Sequence, residues 1–129
     1  MNTHSEILTR WEPIPNLPSK LYLSSLLDDK QGLHLELVGE SDIPMLVVKF
    51  DTFLSYRNAD EGDRLKFLNE VIGQSNWSLY TVEDSKYLTW FHKQSYEIHQ
   101  IENIQHYLFF TPNDIIDILS YEKPHVVFK

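Results

Sequence analysis

The chain has 129 residues, 42% of them hydrophobic, which suits one domain with its own core. It has no cysteine, which excludes a disulfide framework, thiol catalysis and cysteine-ligated zinc. Eleven Lys and Arg against nineteen Asp and Glu give a formal charge of −8, the wrong sign for neutralising nucleic-acid phosphates.

The opening stretch, MNTHSEILTR, lacks a basic run followed by an apolar core and is not expected to act as a signal peptide. Residues 1–19, with Pro13, Pro15 and Pro18 close together, read as an extended lead-in. Trp11 is expected to pack on the domain, because so large an aromatic is costly to leave in water. Lys20–Leu27 and Leu33–Val38 read as strands joined by the turn Asp28-Asp29-Lys30-Gln31-Gly32. In the second, Leu33, Leu35 and Leu37 alternate with His34, Glu36 and Val38, a period of two. Met45–Phe50 is apolar enough for a central strand.

A charged loop follows. Leu65, Leu68 and Ile72 then recur at helical spacing and predict a helix over Asp60–Ile72, stopped by Gly73. Trp77–Val82 reads as a strand. Asp84 or Ser85 caps a short helix through Tyr87, Leu88, Trp90 and Phe91. Ile104–Phe110 is a strand rich in aromatic and β-branched residues. Thr111-Pro112-Asn113-Asp114 has the chemistry of a helix start and predicts a helix over Pro112–Leu119, with Ile115, Ile118 and Leu119 inward. Pro124 opens an extended tail, His125–Phe128. The apolar runs, such as Met45–Val48 and Tyr107–Phe110, are too short to span a bilayer. The expected fold is a single α+β domain over residues 1–129, mostly antiparallel β-sheet with two or three short helices, and with Trp77 and Trp90 buried.

The densest polar motif is Tyr56–Arg64, YRNADEGDR. Its preferred reading is structural: Asp60 caps the helix, Asp63 sits in the first turn, and Arg57 and Arg64 pair with nearby acids. A calcium loop fails on spacing, because counting from Asp60 places Gly62, Arg64 and Val71 where ligands belong. Acid–base catalysis by adjacent carboxylates is a further reading. So is a docking loop anchored by Tyr56 and Arg57, with Asp60, Glu61 and Asp63 beside them. His92, His99 and His106 show no zinc-helix spacing, the serines have no nucleophile-elbow context, and the glycines are scattered. No cofactor or metal is expected. Trp90, Phe91, Tyr96 and Tyr107 are read as core packing, with a ligand cage or partner patch as the alternatives.

Charge points elsewhere along the chain. From Gln94 to Glu122 there is no Lys or Arg, only Glu97, Glu102, Asp114, Asp117 and Glu122. Unneutralised acids project a field that steers a basic partner, so these five are the primary partner-binding candidates, with Asp117 the sharpest.

The motifs YRNADEGDRL, DSKYLTWFHKQS and HYLFFTPNDIIDIL, in that order, resemble a group of small bacterial proteins encoded beside polymorphic toxins. Their pattern is roughly YR-x-x-DE-x-x-R, S-x-Y-L-x-W-F and HY-x-x-x-T-x-N-D-x-I-D, and the match runs from about Tyr56 to Leu119. Such proteins look like immunity proteins, which bind and silence a cognate toxin in contact-dependent growth inhibition. The resemblance implies a cytoplasmic protein that is no enzyme, whose partner is a toxin rather than nucleic acid or membrane. A secreted nuclease toxin is usually basic, and an acidic inhibitor complements it. Immunity proteins diversify where they bind, so shared motifs point to scaffold, which weakens the docking reading of Asp60, Glu61 and Asp63. The alternatives are a small carboxylate-dependent hydrolase or transferase working near Tyr56, and an adaptor subunit of a larger assembly.

Overall fold

The structure is a computed structural model describing residues 6–41, 44–60, 77–98 and 103–129. Its elements run β1 (Ile7–Arg10), β2 (Tyr22–Asp29), β3 (Gly32–Val38), β4 (Met45–Phe50), β5 (Ser55–Asp60), β6 (Leu79–Glu83), α1 (Lys86–Gln94), β7 (Gln105–Phe110), β8 (Asp114–Ser120) and β9 (His125–Phe128). The strands form two sheets, β1-β6-β7-β8-β5 and β2-β3-β4-β9, with every neighbouring pair antiparallel.

The period-two pattern works as expected in the smaller sheet. Leu33, Leu35 and Leu37 lie beside Phe50, Val48 and Leu46 across the β3–β4 register, and all six are buried in the core. Gly32 starts β3 with φ +128, and a Cβ there would sit 2.1 Å from the Phe50 carbonyl oxygen, so only glycine fits this turn. The larger sheet supplies Leu79, Tyr107, Phe109, Ile116 and Ile118 to the same core. The Phe50 ring lies 5.3 Å from that of Tyr107 and 6.4 Å from that of Phe109. Trp11 does pack on the domain: its ring lies 5.1 Å from that of Tyr107, its backbone N–H donates to the Leu79 carbonyl, and the Trp11 carbonyl accepts from Trp77 Nε1–H.

The architecture is mostly antiparallel sheet, with one helix, α1, among the described residues. The helix expected over Pro112–Leu119 is instead strand β8. Thr111–Asp114 closes the β7–β8 hairpin: Thr111 N–H donates to the Asp114 carbonyl at 2.9 Å, and Asp114 N–H donates to Thr111 Oγ1 at 3.0 Å. A threonine hydroxyl accepting the amide three residues on is the same bond in a helix cap and in this turn, so the motif did not discriminate. What decides is the segment after it. Ile115, Ile116 and Ile118 are β-branched, and β8 lies between β7 and β5 with both faces covered. Burial on both faces removes the alternation that marks a strand.

Other expectations shift with it. Tyr56–Asp60 belongs to β5, so Asp60 ends a strand opposite Asp114; the rest of the helix expected over Asp60–Ile72 lies outside the described residues. The lead-in contributes β1 and the tail contributes β9, both paired edge strands. Trp77 is 7% exposed, as expected, but Trp90 is 51% exposed and is no core residue.

Candidate functional site

Asp117 is a carboxylate inside the apolar strand β8, and the fold is arranged around it. Across the register Arg57 of β5 lies directly opposite, and the Arg57 Nε–H donates to Asp117 Oδ2 at 2.8 Å. On the β7 side His106 Nε2 meets Asp117 Oδ1 at 2.6 Å. A carboxylate only accepts, so this nitrogen carries a proton, and the other ring nitrogen, Nδ1, bonds to the Ser85 hydroxyl at 2.7 Å. Ser85 is also the N-cap of α1 and accepts the Leu88 N–H at 2.9 Å. The buried Glu6 carboxylate takes the neighbouring Lys86 N–H at 2.8 Å, next to the positive end of the helix dipole.

The Tyr87 ring completes the cluster. The Arg57 guanidinium stands 4.2 Å over its centroid, Trp90 stacks on it at 5.7 Å, and His106 meets it edge-on at 5.7 Å. Its hydroxyl bonds to Ser55 Oγ at 2.5 Å. Arg57, Ser85, Tyr87, His106 and Asp117 come from all three sequence motifs, which the fold thus gathers into one network.

Ser85, His106 and Asp117 are the residue types of a hydrolase triad. The carboxylate here holds Nε2 and the serine holds Nδ1, and the buried serine hydroxyl is engaged in capping the helix. The arrangement holds α1 against the sheet and neutralises a buried charge. Among the described residues no group of three or more His, Cys, Asp or Glu could hold a metal ion, and no helix is long and apolar enough to cross a membrane.

Of the residues singled out in the sequence, Asp117 changes character most. Its side chain is 1% exposed and paired, so it projects no free charge to a partner. The acidic segment looked unneutralised because its counter-ion, Arg57, is remote in sequence. Asp114 is half-buried in the hairpin turn. Glu122 is exposed, and its carboxylate accepts the Thr52 hydroxyl. Tyr56 packs against the core with its ring 5.5 Å from that of Phe53, and Asp60 is exposed. Glu61, Asp63 and Glu102 lie outside the described residues.

Glu97 remains exposed, in company that sequence reasoning assigned to the core. After α1 the chain turns sharply: Glu97 N–H donates to the His92 carbonyl at 2.7 Å, and Tyr96 and Glu97 both adopt left-handed conformations, with φ 52 and 59. Neither is glycine, so this backbone is strained. It presents Tyr96 at 92% exposure and Ile98 at 71%, beyond the half-exposed Trp90. The result is an aromatic, aliphatic and acidic knuckle directly after α1, the helix whose Tyr87 joins the buried network.

Burial pushes the Tyr107 hydroxyl pKa up from 10.0, and burial likewise dominates an upward shift at Tyr87. A raised folded-state pKa contributes stability that is fully present below the unfolded value and is lost as pH rises through the folded one. Stability should therefore be flat from pH 8 to about 10 and fall above it. Tyr107→Phe should blunt the fall in denaturant midpoints measured across that range.

In comparisons with known proteins, no family model, no curated protein and no solved structure matches the chain.

Proposed function

We propose that this chain is a binding protein of the immunity type, which captures and neutralises a basic toxin domain in the cytoplasm. The observation that carries the reading is the strained knuckle after α1, which leaves Tyr96 and Ile98 in water beside Glu97. A protein that spends strain to expose an aromatic and an aliphatic side chain gains from it on binding. Tyrosine and tryptophan are typical interface anchors, and the half-exposed Trp90 lies on α1, just before the knuckle. The formal charge of −8 supports a basic partner, which the field would draw in quickly. The buried network behind α1 keeps the anchors in place, so less freedom is lost on association. Glu97 and the exposed Glu122 are the acids that contribute to contact or steering.

Expression of the chain should protect cells against the toxin domain encoded next to it, and no enzymatic turnover is required for protection. Protection that survives Tyr96→Ala with Ile98→Ser, but is lost when a serine or carboxylate of the network is changed in a still-folded variant, would favour a hydrolase.

A further inference from the structure

A second site lies at the opposite side of the core from the network's strand face, where the lead-in and the tail meet β6 and β7. It is a cleft of about 410 Å³, walled by the rings of Trp11 and Tyr107 and by Pro13 and Pro124. The two rings stand 5.1 Å apart, tilted by 57°. These walls are apolar and stiff, and the volume suits a small ligand.

The polar groups are as informative as the walls. Thr81, Gln105 and Tyr107 all line the cleft, and none has a side-chain hydrogen bond within the described residues. Tyr107 is 5% exposed as a residue, and its hydroxyl opens on the cleft with no side-chain partner among the described residues. Lys123 also lines the cleft and forms no ion pair within the described residues. The carboxylate of its neighbour Glu122 bonds to the Thr52 hydroxyl. An ammonium with no ion pair among the described residues is thus set against an aromatic slot with three hydrogen-bonding groups open among those residues, on a chain that is acidic overall.

We propose that this cleft binds a small organic acid built on a planar ring. The ring packs against Trp11 and Tyr107, the carboxylate meets Lys123, and polar substituents reach Gln105, Thr81 and the Tyr107 hydroxyl. The charge of Lys123 selects an acid over a neutral analogue, while the aromatic walls select a ring over a simple anion.

The test is a titration of the isotope-labelled full chain with 4-hydroxybenzoate and, separately, with 4-hydroxybenzamide, followed by nuclear magnetic resonance. Saturable shifts at the Trp11 indole N–H and the Gln105 side-chain amide are expected for the acid, with the amide binding about tenfold more weakly. Lys123→Gln, an exposed substitution, should remove that preference and leave the amide's affinity unchanged. Equal affinity for acid and amide, shifts that map elsewhere, or no saturation by about 20 mM would overturn the proposal.

Discussion

Replacing Asp117 by alanine lowers the unfolding free energy by about 3 kcal/mol, the lower part of the range for stripping one partner from a buried ion pair. The reasoning starts from the partners left behind. His106 is as buried as Asp117 and loses the acceptor of its Nε2–H. That ring nitrogen is then a buried donor with no acceptor. Arg57 is 42% exposed and turns to water at small cost, which keeps the loss from the top of the range. Denaturant midpoints at unchanged slope measure it. A loss under about 0.5 kcal/mol, typical of a surface position, would mean that Asp117 is an available surface acid after all.

The opposite pattern is expected at the knuckle. Under the proposed function, Tyr96→Ala together with Ile98→Ser should weaken binding of a toxin partner by about a hundredfold or more, as for removing interface anchors, and leave the thermal midpoint nearly unchanged. Both side chains already sit in water, so folding gains little from them. Tyr96→Gly sharpens the contrast. Its left-handed φ of 52 costs a tyrosine and not a glycine, so stability should hold or rise by up to about 1 kcal/mol while binding is lost. Glu97→Lys should slow association chiefly at low salt.

How much of this could be read in the sequence depends on how local the deciding interaction is. β3, β4 and the Ser85-capped helix were legible because alternation and capping are properties of a few adjacent residues. β8 was misread because Thr111-Pro112-Asn113-Asp114 closes a hairpin with the same hydrogen bond that starts a helix. Only the pairing of Ile115–Leu119 with β5 and β7 distinguishes the two. The network was invisible for a related reason: Arg57, Ser85, His106 and Asp117 are far apart in sequence and meet by strand register. Two weak signals existed, a lone aspartate in IIDIL and a histidine leading YLFF, each a polar residue in an otherwise apolar run. The exposed partner of the story, Tyr96, was hidden because aromatic residues go inside more often than out, and no local rule marks the exception.

The most direct measurement of the proposed function is a calorimetric titration of the purified chain with a basic toxin domain encoded beside it, at low and at physiological salt. An equimolar complex is predicted, with affinity that weakens as salt rises and is lost in the Tyr96→Ala, Ile98→Ser variant. No complex with an active toxin domain, or a complex indifferent to both salt and the knuckle substitutions, would contradict it.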